Sequence, residues 1–182
     1  MPETRKSELT VTRLAPRGMV TIRADFAAPG AQAALLAATG CVMPGQRRIA
    51  FEGDRALAWM SPDEAMLFLP VAQAPGIPAA IAEALGDAPH LAVDVSDARA
   101  IFRIAGPGAR MALAKGAPID LSPAGFGPGD FRRTRLGQVA AALWMPEAGV
   151  LELMCFRSVA DFVEDWLAMA IRSADAGLFA ES

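Results

Sequence analysis

Three arginines stand close together after a glycine-rich stretch, and they are the strongest candidates for chemistry in the sequence. Arg132, Arg133 and Arg135 lie in the segment 122–137, which reads SPAGFGPGDFRRTRLG. In a β-strand, Arg133 and Arg135 share one face and Arg132 lies on the other. Guanidinium groups bind carboxylates and phosphates through paired hydrogen bonds, so the cluster is a candidate anion or partner contact. A solvated edge strand protected by its charges is the alternative interpretation.

Other groups capable of catalysis are sparse. The chain has one histidine, His90, so a charge-relay triad or a histidine metal site would depend on that residue alone. We interpret His90 as a loop or strand-edge residue. The sequence contains no GxSxG, HExxH or P-loop lysine motif. We therefore predict no catalytic, cofactor-binding or metal-binding residue in this chain.

One glycine-rich segment and two acidic pairs have structural interpretations. AGPGARMA at 105–112 follows a predicted strand and begins a predicted helix, as a phosphate-binding loop would. It lacks the third glycine of GxGxxG, and Pro107 removes one amide donor, so a helix N-terminus is the better interpretation. The acidic pairs fit a hairpin turn and a strand end: Asp63 with Glu64, and Asp94 with Asp97.

Composition limits the function classes further. Of the 182 residues, 53% are hydrophobic and only 20% charged, an apolar excess typical of an obligate subunit. The net charge of −3 argues against a nucleic-acid partner. Cys41 and Cys155 have no CxxC spacing, which predicts neither a disulfide framework nor a zinc site. The absence of a leader-like or an 18-residue apolar segment predicts a cytoplasmic protein without a membrane partner.

Hydrophobic patterns predict the same order of elements, β-α-β-β-β-α, in both halves of the chain. Each half has a strand, a helix, a three-strand meander and a second helix. The predicted strand, first helix and second helix are 18–26, 29–40 and 77–86 in the first half, and 98–106, 107–116 and 158–172 in the second. In the last helix, an apolar stripe predicts the buried face: Val159, Phe162, Val163, Trp166 and Met169.

A repeated tryptophan–methionine pair supports this duplication. Trp59 begins WMSPDE and Trp144 begins WMPEAG, and both pairs fall at the end of the middle meander strand. We interpret these tryptophans as packing residues rather than as part of a cofactor site. The predicted organisation is a flexible N-terminus at 1–9, a single compact unit of two repeated lobes at 10–173, and a flexible tail at 174–182. The lobes span about 18–86 and 91–173.

Three segments carry a family resemblance. LAWMSPDEAMLFLP at 57–70, LAVDVSDARAIFRIAGPGARMALAKGAPIDL at 91–121 and RSVADFVEDWLAMA at 157–170 resemble the gamma subunit family of heterotetrameric sarcosine oxidase. The resemblance covers roughly residues 10–173. That family is similar in fold to folate-binding aminomethyltransferases such as the glycine cleavage T-protein. The implied fold is α+β, with two similar β-α-β-β-β-α lobes and antiparallel meanders.

The resemblance also implies a function. It indicates a noncatalytic small subunit of an enzyme that oxidatively demethylates sarcosine to glycine, with tetrahydrofolate as the methylene acceptor. The implied partners are large alpha and beta subunits and a small delta subunit. FAD, FMN, NAD and tetrahydrofolate are expected in those partners and none in this chain.

Several alternatives stay open at this point. A stand-alone folate- or pterin-binding module is supported by the fold analogy and the arginine cluster. T-proteins, however, have a glycine- and aspartate-rich hairpin with a folate-facing aspartate where this chain has LAWMSPDEAM, so autonomous aminomethyl transfer is not expected. Self-association of the isolated chain, and sarcosine or another N-methyl amino acid as the substrate, are also left open.

Overall fold

Two five-stranded antiparallel sheets, each with two α-helices, form the part of the chain that the computed structural model describes, residues 9–172. The predicted flexible segments 1–9 and 174–182 lie outside the described residues, except for residue 9. The elements in chain order are β1 Thr10–Arg13, β2 Gly18–Ala24, α1 Ala31–Thr39, β3 Ile49–Glu52, β4 Arg55–Ser61, β5 Glu64–Leu69, α2 Ile77–Leu85, β6 His90–Asp94, β7 Arg99–Ala105, α3 Ala109–Ala114, β8 Phe131–Leu136, β9 Val139–Glu147, β10 Val150–Phe156 and α4 Ala160–Arg172.

The first compact unit contains residues 15–99 and 129–132, and its sheet has the strand order β3-β4-β5-β2-β6. The alternation of apolar residues in β2 places Val20 and Ile22 on the face that carries α1 and α2. These side chains form one buried cluster with Leu35 of α1 and with Ile77 and Ile81 of α2. The helix predicted at 77–86 therefore forms and packs its buried residues against this sheet.

The second unit contains the described residues 9–14, 100–128 and 133–172, and its sheet has the order β1-β7-β10-β9-β8. One buried cluster unites the sheet with both helices. Its members include Phe102 of β7, Leu153 of β10, Leu113 of α3, and Val163 and Leu167 of α4. Each of these side chains is fully buried.

The predicted α+β fold with a repeated β-α-β-β-β-α order is confirmed. The first copy runs from β2 to α2 and the second from β7 to α4. The short strands β1 and β6 were not predicted as parts of these sheets. β6 pairs with β2, so residues 91–94 belong to the first unit rather than to the predicted second lobe at 91–173. β1 pairs with β7 and completes the sheet of the second unit.

The tryptophan–methionine pairs mark equivalent points in the two meanders. In each hairpin the strand register shifts beside the pair: at Trp59 to Ser61 in β4, and opposite Trp144 in β10. Trp144 is buried, and the methionines that follow the two tryptophans, Met60 and Met145, are buried as well. Each pair therefore lies beside a β-bulge in its own hairpin, which supports the interpretation that the two pairs are equivalent positions of a repeat.

The buried face of α4 differs from the predicted stripe. The core-facing residues are Ala160, Val163, Leu167 and Ala170, whereas Phe162 and Met169 are each 55% exposed. Trp166 is partly buried and packs against the core cluster of the second unit. The predicted stripe and the observed face share Val163, and packing against the strands of the second unit buries the neighbouring side of the helix.

Candidate anion or partner contact

The three candidate arginines lie on β8, which is an edge strand. Phe131 and Leu136, each 1% exposed, anchor the two ends of the strand. Between them, Arg133 and Arg135 are exposed while Arg132 is partly buried, which is the alternation expected of a strand. The structure therefore brings Arg133 and Arg135 together on one exposed face and turns Arg132 away from them.

Arg132 makes contacts within the first unit. Its Nη1 donates to Asp130 Oδ1 at 3.2 Å and to the Arg47 carbonyl oxygen at 3.0 Å. The same Asp130 oxygen lies 3.0 Å from Arg48 Nη1, so one carboxylate stands between two guanidinium groups. The Asp130 side chain is 18% exposed. Arg132 therefore serves as a structural contact of its unit.

The end of the glycine-rich loop is fixed by the same contacts. Gly129 has a φ of 78°, and a Cβ at this position would lie 2.6 Å from Arg48 Nη2. The Arg48 side chain could move away from such a Cβ, but the left-handed φ would strain any residue with a side chain, so this position favours glycine. The Gly129 carbonyl accepts from the Ile49 N–H at 3.0 Å, and the Phe131 N–H donates to the Arg47 carbonyl at 2.9 Å. Residues 129–132 therefore run along the outer edge of β3.

Arg133 and Arg135 remain the candidate contact. Two positions along a strand correspond to about 7 Å, so the two guanidinium groups can engage one dicarboxylate or two neighbouring carboxylates. Their position on an edge strand also fits the alternative interpretation, in which the charges protect the edge from aggregation. The geometry thus reduces the predicted cluster from three arginines to two.

Arg110 has a structural role that the sequence interpretation missed. Its Nη1 donates to the carbonyl oxygens of Leu121 and Phe126, both at 2.7 Å. Burial lowers the pKa of the Arg110 guanidinium. The residue holds the start of the glycine-rich loop against α3, which begins after Gly108 with a φ of 84°. The segment 105–112 thus begins a helix, as predicted, and Arg110 in its first turn holds the loop in place.

The lone histidine lies beside a surface pocket of about 410 Å³ in the first unit. His90 is the first residue of the edge strand β6, in agreement with its prediction. Across the pocket, Arg23 is paired with Asp63 at 3.0 Å and with Glu64 at 3.2 Å. A hydrogen bond from Ser61 is the main cause that lowers the pKa of Asp63. The acidic pair is therefore part of a hairpin ion-pair network, as its turn position indicated.

No group of three or more histidine, cysteine, aspartate or glutamate side chains within residues 9–172 is placed to hold a metal ion. No helix in the same range is long and apolar enough to cross a membrane.

A family comparison identifies the chain. The model of the sarcosine oxidase gamma subunit family matches residues 23–175. The chain belongs to this family. The match includes the second copy of the repeat, with the strand that carries the candidate arginines, and all of the first copy except most of β2.

Individual gamma subunits show how far the similarity extends. The sarcosine oxidase subunit gamma of an Arthrobacter species is 35% identical over 123 residues, which cover 65% of this chain and 59% of the relative. The corresponding subunit of Corynebacterium sp. (strain U-96) is 30% identical over 145 residues, which cover 78% and 70%. The chain thus spans less than two thirds of the Arthrobacter relative that it matches.

Solved structures support the same family and its fold. A chain of the heterotetrameric sarcosine oxidase from Corynebacterium sp. U-96, in complex with pyrrole 2-carboxylate, superposes with a TM-score of 0.83 and 28% identity. This match covers 96% of the gamma-family chain described here and 87% of the other. The glycine cleavage aminomethyltransferase T from Bartonella henselae gives a TM-score of 0.63 at 13% identity, with 92% and 50% covered. The second likeness confirms the aminomethyltransferase-like fold and concerns the fold alone.

Proposed function

We propose that this chain is the noncatalytic gamma subunit of a heterotetrameric sarcosine oxidase, which oxidatively demethylates sarcosine to glycine with tetrahydrofolate as the methylene acceptor. The observation that carries the proposal is the similarity to a chain of such a complex over nearly the whole length of both chains. In this proposal the large alpha and beta subunits and the small delta subunit bind FAD, FMN, NAD and tetrahydrofolate. The gamma chain contributes surfaces rather than reacting groups.

An exposed apolar stripe on α4 supports a role as a subunit. Phe162 and Met169 lie two turns apart on the same side of the helix, and Trp166 lies between them. Large apolar side chains placed together on a surface are typical of a surface that another protein covers. We call these three residues the α4 stripe and expect a partner subunit to cover it.

The exposed pair Arg133 and Arg135 supplies a polar contact in the same proposal. In this proposal a carboxylate of a partner subunit lies opposite the two guanidinium groups. Charge pairs of this kind contribute several kcal/mol when binding removes them from water, and under about 1 kcal/mol when they stay exposed.

A stand-alone folate-binding module is less well supported by the structure. Arg133 and Arg135 stand on an exposed strand edge, which offers no enclosure for a pterin ring. In the pocket beside His90, the guanidinium of Arg23 is already paired with two carboxylates. Neither place therefore fits a folate.

Coexpression of a tagged gamma chain with the alpha, beta and delta subunits tests the proposal. We expect the tag to retrieve the complex, and sarcosine oxidation to be found in the complex and not in the gamma chain alone. The double variants Phe162→Ser/Met169→Ser and Arg133→Ala/Arg135→Ala should lower the yield of complex while leaving the fold of the gamma chain intact. The readouts are complex yield, its salt dependence, and activity per flavin.

Matched controls separate the proposed surfaces from general effects of substitution. Leu36→Ser/Val42→Ser removes two exposed apolar side chains from the first unit, and Arg157→Ala/Arg172→Ala removes two exposed arginines. Failure of the wild-type tag to retrieve any large subunit, or sarcosine oxidation by the gamma chain alone, would overturn the proposal. If the arginine double variant behaves like its control, Arg133 and Arg135 do not bind a partner, and their charges only protect the edge strand.

A further inference from the structure

The two outer edges of the first unit's sheet differ in whether other residues of the chain bind to them. The outer edge of β3 is covered by residues 129–132, which accept from Ile49 N–H and donate to the Arg47 carbonyl. β6 stands at the other end of the strand order, and no other strand within residues 9–172 pairs with its outer edge. This outer edge of His90–Asp94 is called the β6 edge below.

Hydrogen bonding to β2 determines which backbone groups the β6 edge presents. The Val95 N–H donates to the Met19 carbonyl at 2.8 Å, and the pairing of β6 with β2 continues without a register shift. Along an antiparallel strand, the N–H and C=O groups of successive residues point alternately to one neighbour and to the other. The N–H and C=O groups of Asp94, Ala92 and His90 therefore point away from β2. The β6 edge therefore offers three residues' donors and acceptors in a straight row.

The side chains of β6 lack several of the usual protections of an edge strand. Natural edges are often protected by lysines, prolines or bulges, and residues 90–94 contain none of these, although the strand is short and ends in the charged Asp94. Instead, Leu91 is 52% exposed and Val93 is 41% exposed. Both lie on one face because they are two positions apart in the strand. Such an edge is suited to pair with another strand.

We propose that a second copy of this chain pairs with the β6 edge, antiparallel and with a two-fold axis at Ala92. In this register Ala92 faces Ala92 of the second copy, and the residues that face each other have numbers that sum to 184. His90 then lies opposite Asp94 of the second copy, and Leu91 lies opposite Val93. The outward backbone groups of His90, Ala92 and Asp94 form the hydrogen bonds between the copies.

The sequence HLAVD favours a second copy over an unrelated strand because the two-fold axis pairs each residue type with a suitable partner. Imidazole faces carboxylate at both ends, apolar faces apolar between them, and the small Ala92 occupies the centre. An isologous interface requires this self-complementarity, in which residue i contacts j and j contacts i. The apolar pairs fall at the closely spaced, non-hydrogen-bonded positions, where cross-strand side chains approach most closely.

The β6 edge belongs to the first unit, whereas the α4 stripe, Arg133 and Arg135 belong to the second. Substitutions on β6 therefore test self-association, and substitutions on α4 and β8 test assembly with other subunits.

Sedimentation of the full chain over a wide range of concentration tests the inference. We expect a reversible monomer–dimer equilibrium for the wild type. Leu91→Lys/Val93→Lys places like charges opposite each other and should raise the dissociation constant roughly tenfold or more. Ala92→Pro removes an N–H that points away from β2 and should have the same effect. Phe51→Lys, on the exposed side of the opposite edge strand β3, is the matched control and should leave the equilibrium unchanged.

A cross-linking experiment tests the register without relying on a destabilising variant. In the proposed register the two copies of residue 92 form a hydrogen-bonded pair, about 5.5 Å apart at Cα, within reach of a disulfide. We expect Ala92→Cys to form a covalent dimer on mild oxidation and Val71→Cys, at an exposed position, to form none. A wild-type chain that stays monomeric at every concentration overturns the inference. So does a dimer that both β6 variants leave intact, or one that does not cross-link at residue 92.

Discussion

At the scale of single residues, the most informative side chains are two buried glutamates, Glu64, which the sequence places in a hairpin turn, and Glu152, which no sequence motif indicates. Glu152 in β10 is 1% exposed and accepts from Arg103 Nε at 3.0 Å and from Nη2 at 2.6 Å. Glu64 in β5 is 7% exposed and pairs with Arg23. In both units, therefore, an arginine on the first strand of the repeat compensates a carboxylate on the last meander strand.

The sequence could indicate part of this arrangement but not all of it. Glu152 interrupts the apolar run VLELMC, and a charged residue in such a run indicates either a bulge or a buried pair. Its partner lies 49 residues away, and only the pairing register of the strands identifies it. For the same reason the sequence could place Arg133 and Arg135 on one face of a strand but could not show that Arg132 donates to the Arg47 carbonyl, 85 residues away.

We expect Arg103→Ala to lower the free energy of unfolding by about 1–3 kcal/mol, because it leaves the buried carboxylate of Glu152 without its charged donor. The Arg103 side chain is 47% exposed, so water can replace part of the interaction and the effect should fall below that of a fully buried pair. The double variant Arg103→Ala/Glu152→Gln should recover part of the loss. Urea denaturation measures both, and equal stabilities for the two variants would contradict the pairing.

At the scale of elements, α4 shows how a correct helix prediction can still select the wrong face. Apolar residues occupy two neighbouring sides of the helix, one with Phe162 and Met169 and the other with Val163 and Leu167. Periodicity places both sides within one broad stripe. Packing of the helix against its sheet separates them, and that packing depends on the strands of the second unit rather than on the helix sequence.

Stability measurements should separate the two sides of α4. Leu167→Ala removes a fully buried side chain from the main core cluster, and we expect a loss of about 2–5 kcal/mol. Phe162→Ala removes a larger side chain that is 55% exposed, and we expect a change within about 0.5 kcal/mol in the isolated chain. Thermal and urea unfolding of both variants check this order, and a larger loss for Phe162→Ala would restore the originally predicted face.

The strands of the two meanders were predictable because turn signals and short apolar runs alternate along them. The strands β1 and β6 were not, since four or five residues with mixed polarity carry little periodic signal. Both lie at sheet edges, and their state depends on a neighbour that is distant in the chain. A sequence pattern can therefore predict the repeat, while strand pairing determines its limits.

At the scale of the whole molecule, the two sequence halves exchange their edge strands. β1 precedes the first copy of the repeat but completes the sheet of the second copy through β7. β6 precedes the second copy but completes the sheet of the first through β2. Residues 129–132 likewise come from the second half of the chain and belong to the first unit. The compact units of the structure are thus not the halves of the sequence.

This exchange predicts how a divided chain behaves. Separation after Asp87, in the turn between α2 and β6, gives one fragment with β1 to β5 and another with β6 to β10. Each fragment then holds a four-stranded sheet without its fifth strand, together with one strand that lacks its partner. We expect each fragment alone to be poorly folded and the two to copurify when coexpressed, because the exchanged strands restore both sheets.

A first fragment that begins at residue 15 provides the matched control, because it lacks β1 and keeps every other described element of that fragment. It should copurify less well with the second fragment, since the pairing of β1 with β7 is then lost, while the pairing of β6 with β2 and the contacts of residues 129–132 remain. Circular dichroism and thermal unfolding report the fold of each fragment, and affinity copurification reports their association. Two fragments that unfold cooperatively on their own and do not bind each other would contradict the exchange.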